Sequence, residues 1–201
     1  MASSKEIVQA VVNALTIEIE ASGRHVHLTV EATQALFGPG HRLTAVRPLS
    51  QPGQFVCAER VDVIGPKGSF QNVAILGPER KENQVEVSRT DAVTLGLKPP
   101  VRQSGDLHGS CSVILRANGR ELKLENGLII AQRHVHLTPR DAERFGVRDG
   151  EVLGLKCLTD RPAVLMDTVA RVSDKFATYV HLDYDEANAC GWAKGDRGRL
   201  V

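Results

Sequence analysis

Aromatic side chains are scarce in this chain: one Trp, two Tyr and five Phe, 4% of 201 residues. Val, Leu and Ala must therefore build most of the core. Net charge is nearly absent at +1, and there is no long basic run. That argues against a nucleic-acid binder, which carries a basic stripe. No apolar run approaches membrane-spanning length, which argues against a helical membrane protein. The N-terminus carries Lys5 and Glu6 and lacks the apolar block of a signal peptide. Cys57, Cys111, Cys157 and Cys190 form no C-x-x-C pair. They read as reduced, small apolar residues of a cytosolic protein rather than staples or ligands. Walker A, G-x-G-x-x-G and G-x-S-x-G patterns are all missing, so nucleotide binding and a serine-hydrolase elbow have no motif support.

The string Arg-His-Val-His-Leu-Thr, by contrast, occurs twice, at Arg24–Thr29 and Arg133–Thr138. Alternate side chains of a strand share a face, so His25 and His27 project together, as do His134 and His136. Two imidazoles on one strand face form a metal half-site, and two half-sites suggest a dinuclear centre built by duplication.

The repeat extends further. Val26-His27-Leu28-Thr29, Val85-Glu86-Val87-Ser88, Val135-His136-Leu137-Thr138 and Val180-His181-Leu182-Asp183 share one pattern. Each ends in a good helix N-cap. The last three copies place Asp91, Asp141 or Glu186 three residues later, as a capping box requires. Gly96, Gly146 and Gly191 follow as helix ends, while the first copy has Ala32 and a late Gly38. The chain is thus expected to hold four strand-into-helix units, and these nominate Glu86 and His181 as third ligands. A natural grouping is His25, His27 and Glu86 on one metal and His134, His136 and His181 on the other. A duplicated fold could also cross the pairs.

Between these units lie short strand-like runs, Phe55–Ile64, Val73–Leu76, Ser112–Leu115 and Leu128–Ala131. Gly/Pro turns separate them, and Asn118-Gly119 and Asn126-Gly127 add turn signals. The expected fold is mainly β with short helices: two β-barrel subdomains related by duplication, 23–128 and 129–201. Segment 1–22 is set apart as an amphipathic helix over Ser3–Leu15, with Ser3 and Glu6 as capping box, and a strand or connector. These boundaries are approximate, with strand crossover allowed. The longest apparent linker starts at Lys98-Pro99-Pro100. His41 and His108 read as loop residues. Arg24, Arg80, Arg89 and Arg133 lie near the repeat, where a guanidinium fork can bind phosphate.

Arg-His-Val-His-Leu, Pro48–Gln54, Ile64–Gly68, Leu76-Gly77-Pro78, Gln84–Asp91, Ala131–His136 and His181–Ala189 together resemble the phosphate propanoyltransferase family, the PduL type of phosphotransacylase. The resemblance runs from about Gly23 to the C-terminus. It implies paired β-barrels with a dinuclear, usually zinc, site. Its ligands fall on His25, His27 and Glu86 and on His134, His136 and His181. It puts the phosphate arginine at Arg80 and coenzyme A contacts at Arg47, Leu76, Ser104 and Asn188, with Arg47 replacing a lysine common in the family.

The implied reaction interconverts a short-chain acyl-CoA plus phosphate with an acyl phosphate plus coenzyme A. Membership also implies propanediol degradation in a bacterial microcompartment, with shell or cargo proteins as partners. The N-terminal helix then reads either as a targeting segment or as a helix packed on the barrel. Homo-oligomer formation, acyl-chain preference and metal identity stay open. Two rival readings remain: a dinuclear metal hydrolase of thioesters or phosphoesters, and a non-enzymatic metal-binding cargo protein.

Overall fold

The computed structural model describes residues 3–201; residues 1 and 2 of the expected N-terminal segment lie outside them. Helix α1 (Ser4–Leu15) starts at the expected capping box, in which Ser3 and Glu6 satisfy each other's backbone N–H groups. It buries none of its residues. Strand β1 (Ile17–Ser22) follows.

The chain then forms β2 (His25–His27), α2 (Val30–Phe37), β3 (Ala45–Pro48), β4 (Phe55–Ile64), β5 (Ser69–Gly77), β6 (Gln84–Val87), α3 (Arg89–Leu95), β7 (Val101–Arg102), β8 (Cys111–Ala117) and β9 (Arg120–Ala131). It continues with β10 (His134–Leu137), α4 (Pro139–Phe145), β11 (Val152–Leu158), β12 (Ala163–Val172), β13 (Tyr179–Asp183), α5 (Tyr184–Ala189) and β14 (Arg197–Leu200). Two compact units result: residues 23–132, and residues 3–22 together with 133–201.

In the first unit, pairing runs β4-β5-β2-β6-β9-β8 and closes back onto β4. In the second it runs β11-β12-β10-β13-β1-β14 and closes back onto β11. Both are six-stranded rings, and they share one pattern of directions. The His-Val-His strand pairs parallel on one side (β2 with β5, β10 with β12) and antiparallel on the other (β2 with β6, β10 with β13). The next strand then pairs parallel with β9 in one ring and β1 in the other. Strand β1 therefore fills, from the N-terminus, the place that β9 fills in the first ring. Its Ile17-Glu18-Ile19-Glu20 alternation buries Ile17 and Ile19 in the second core. Segment 17–22 thus lies within the second barrel, not apart from it.

Aliphatic residues build both cores. Val26, Leu28, Leu36, Ile75, Leu95, Leu115 and Leu128 are fully buried in the first unit; Ile19, Val135, Leu137, Leu155, Val180 and Leu182 are buried in the second. Each such side chain contributes roughly 1.5–3 kcal/mol. In each His-Val-His strand the central valine enters the core, which fixes the register of the flanking histidines.

All four strand-into-helix units form. Thr29, Ser88, Thr138 and Asp183 are the N-caps of α2, α3, α4 and α5. Complete capping boxes occur at Ser88/Asp91 and Asp183/Glu186. At Thr138 only half forms, and Asp141 instead accepts from Thr178 and pairs with Arg144.

Asn118-Gly119 makes the β8–β9 hairpin, both residues at positive φ (50° and 73°) as its two-residue turn requires. Asn126-Gly127 is no turn. It lies inside β9, where the register against β8 shifts, and the Gly127 N–H bonds the Ser110 hydroxyl at 2.8 Å.

Candidate metal and phosphate site

Antiparallel register puts Glu86 of β6 directly opposite His25 of β2, and His181 of β13 directly opposite His134 of β10. The two faint copies of the repeat thus meet the two strong ones at the same ladder position. In the first unit the donor atoms of His25, His27 and Glu86 lie within 4.8 Å of one another; in the second those of His134, His136 and His181 do. The grouping is the uncrossed one.

In the first group His25 Nε2 stands 3.5 Å from Glu86 Oε2, and His27 Nε2 stands 3.9 Å from Glu86 Oε1. His25 Nδ1 lies 2.9 Å from the Gly23 carbonyl and His27 Nδ1 lies 3.1 Å from the Leu76 carbonyl. A carbonyl only accepts, so each Nδ1 carries a proton and each Nε2 is the nitrogen that could ligate a metal. In the second group His136 Nδ1 and His181 Nε2 are 3.2 Å apart. A tetrahedral zinc with bonds of roughly 2.0–2.1 Å holds neighbouring ligands about 3.3 Å apart. Both groups fit such an ion, the first with imidazole and carboxylate donors and the second with imidazoles only.

Their electrostatics agree. Burial, with the charges of His25 and Arg80, pushes His27 down to about 3. Burial, with His134 and Arg171, pushes His136 down to about 3. Both rings are neutral at pH 7 and keep a lone pair for a metal. Burial disfavours the charged forms of His25 and Glu86, but their mutual attraction outweighs it. His25 is held above the usual imidazole range and Glu86 below the usual carboxylate range. The space between them favours positive charge.

A family model for phosphate propanoyltransferase matches residues 18–193. The phosphate propanoyltransferase of Clostridioides difficile (strain 630) is 52% identical over 98% of this chain and 94% of its own. That of Listeria monocytogenes serovar 1/2a is 54% identical over 92% of this chain and 87% of its own. The Thermotoga maritima protein of the same name is 45% identical over 98% and 94%. This chain belongs to the phosphate propanoyltransferase family.

The remaining residues singled out from the sequence fall as follows in this phosphotransacylase. Arg80 follows β5. Its backbone N–H bonds the Leu28 carbonyl at 2.8 Å, and its guanidinium donates to the Ser104 hydroxyl at 3.3 Å. Its charge acts on both histidines: it helps push His27 down, and it opposes the stronger pull of Glu86 that holds His25 up. Ser104 belongs to the connection between β7 and β8, and Leu76 supplies the carbonyl that orients His27. Arg47 is exposed on β3. Asn188 is exposed on α5 of the other unit.

Arg24 and Arg133 have a different task. Arg24 pairs with Asp91 at 2.7 Å and Arg133 with Glu186 at 2.6 Å. Each ties a His-Val-His strand to the capping acid of another helix within the same barrel unit. Arg89 is exposed. His41 bonds Glu59 at 2.8 Å.

Sequence reasoning missed Gln84. It is 2% exposed and lies opposite His27 in the β2–β6 register. Its amide donates to Glu86 and to Ser104, and its oxygen accepts from the Gly105 N–H. The available signals were its place at the head of the Gln84–Asp91 block and its spacing two residues before Glu86, which puts it on the same strand face.

Three of the four thiols are buried. Burial pushes Cys57 up to about 11 and Cys157 up to about 12, and Cys190 is buried. Alkylation of the folded protein at pH 7.5 is expected to label Cys111 alone; denaturation should expose all four. Rapid native labelling of Cys57 or Cys157, read by intact and peptide mass, would contradict this.

Proposed function

We propose that this chain interconverts a short-chain acyl-CoA plus orthophosphate with an acyl phosphate plus coenzyme A. Each three-donor group holds one divalent ion, zinc by its donor set. The observation that carries the reading is Arg80 beside a group of metal-donor atoms that recurs in equivalent register in a second barrel. Ions so held supply Lewis-acid polarisation of oxygen and a soft partner for a thiolate sulfur.

The chain's own residues bind and orient. The Arg80 fork holds two oxygens of phosphate, so that a third faces the thioester carbonyl. The C–O bond forms as the C–S bond breaks, and coenzyme A leaves as its thiolate. No side-chain nucleophile is needed. Protonated Cys57 and Cys157 support direct transfer over an acyl-enzyme. In the first unit Arg47, Leu76 and Ser104 contact coenzyme A, with the exposed Arg47 cation meeting one of its phosphates.

Assaying acyl-CoA with and without phosphate tests the reaction. Coenzyme A release should require phosphate and should match acyl phosphate formation one for one. Phosphate-independent release without acyl phosphate would instead establish the hydrolase. Failure of the zinc-loaded protein either to turn over acyl-CoA or to bind coenzyme A would favour the cargo protein.

Helix α1 leaves Ile7, Val8, Val11, Val12 and Leu15 36–62% exposed, which supports a docking role over packing on the barrel. We read it as the segment that recruits the enzyme to a microcompartment. Removing residues 1–15 should leave phosphate-dependent activity within about twofold, as expected for an exposed element. It should also abolish co-sedimentation with shells. Retained co-sedimentation would contradict this role.

A further inference from the structure

We infer that Gln84 is a positioning residue that couples the metal-ligating carboxylate of Glu86 to the phosphate-binding arginine. This deepens the proposed function and rests on it.

Four observations lead there. The Gln84 side chain is buried, and its amide is hydrogen-bonded to Glu86, Ser104 and the Gly105 N–H. One amide N–H holds Glu86 Oε1, while Glu86 Oε2 is the oxygen nearest to His25 Nε2. With Oε1 engaged, Oε2, which faces His25, would be the oxygen that holds the ion. The second amide N–H donates to Ser104 Oγ at 2.8 Å, and the same Oγ accepts from Arg80 at 3.3 Å. Finally, the Gln84 oxygen accepts from the Gly105 N–H at 2.8 Å, anchoring the connection that carries Ser104. A single side chain therefore fixes the ligand, the hydroxyl and, through the hydroxyl, the guanidinium.

The duplication argues that this is no requirement of the barrel itself. In the second ring the equivalent position, opposite His136, is Tyr179. The same six-strand ring closes there without a glutamine. The glutamine belongs to the barrel that carries the arginine.

Gln84→Met keeps the size and removes both donors. Competition with a zinc-binding dye should show one of the two ions bound roughly 10–100-fold more weakly, the loss typical of a removed supporting hydrogen bond. The other ion should be unchanged. The phosphate KM should rise about five- to tenfold, the order set by one lost hydrogen bond. The acyl-CoA KM should hold within about twofold.

Ser104→Ala serves where Gln84→Met does not fold. It should raise the phosphate KM while weakening that one ion less than is expected of Gln84→Met, because Ser104 also bonds Glu86 but Gln84 still holds it. Equal rises in both KM values, equal weakening of both ions, or no change in a folded variant would each overturn the role. The dye measurement needs no turnover, so a parent enzyme lacking phosphate-dependent activity would fail the proposed reaction while leaving the coupling to Glu86 independently judged.

Discussion

Replacing His136 by alanine is expected to remove about one of two metal equivalents and to lower turnover by at least ~10³-fold. The size follows from the role: an electrostatic stabiliser of developing charge contributes roughly 10²–10³ even when it is a single hydrogen-bond donor, and a metal is a stronger one. His136 is the appropriate position. Its ring is buried and neutral, with its Nδ1 3.2 Å from His181 Nε2. Without it the group keeps only two imidazoles, too few to hold zinc tightly. The flanking Val135 and Leu137 still fill the core, so the barrel should keep its fold. Metal analysis, circular dichroism and initial rates together read the result. Full metal content with full activity would refute the assignment.

Arg80→Ala should behave in the opposite way. Both metal equivalents should stay, since Arg80 donates no ligand atom. The kcat/KM for phosphate should fall by roughly 10²–10³, while the acyl-CoA KM changes little. Arg80→Lys should recover only part of the loss, because an ammonium keeps the charge but not the planar fork. Removing the cation also relieves one influence that lowers His25 and His27, which favours retention of their proton rather than of metal. Any small metal loss should therefore be confined to low pH. Unchanged phosphate kinetics in Arg80→Ala would sink the assignment.

Much of this was legible because duplication writes the same physics twice. Val26 and Val135 sit between histidines and must point inward, so the histidines share the other face. The N-cap after each motif then marks where the strand stops, and this aligns Glu86 and His181 with the histidines. Other features depend on contacts far apart in sequence. Pairing of β1 with β13 joins Glu20 to the level of His181, and no local pattern in Ile17–Ser22 names that partner. Asn126-Gly127 carries a turn dipeptide, yet the β8–β9 ladder absorbs it as an irregularity. Arg24 and Arg133 looked equivalent to Arg80 as phosphate cations; only the fold reveals that Asp91 and Glu186 already hold them. Gln84 opens the Gln84–Asp91 block, but its meaning comes from the register opposite His27 and from the distant Ser104.

The most direct test of the central claim is a zinc titration of metal-stripped enzyme, read as phosphate-dependent acyl phosphate formation. Activity should be absent at the start, rise with added zinc and reach its plateau at about two equivalents per chain, one for each three-donor group. Full acyl phosphate formation by the stripped protein, or a plateau at about one equivalent, would contradict the account.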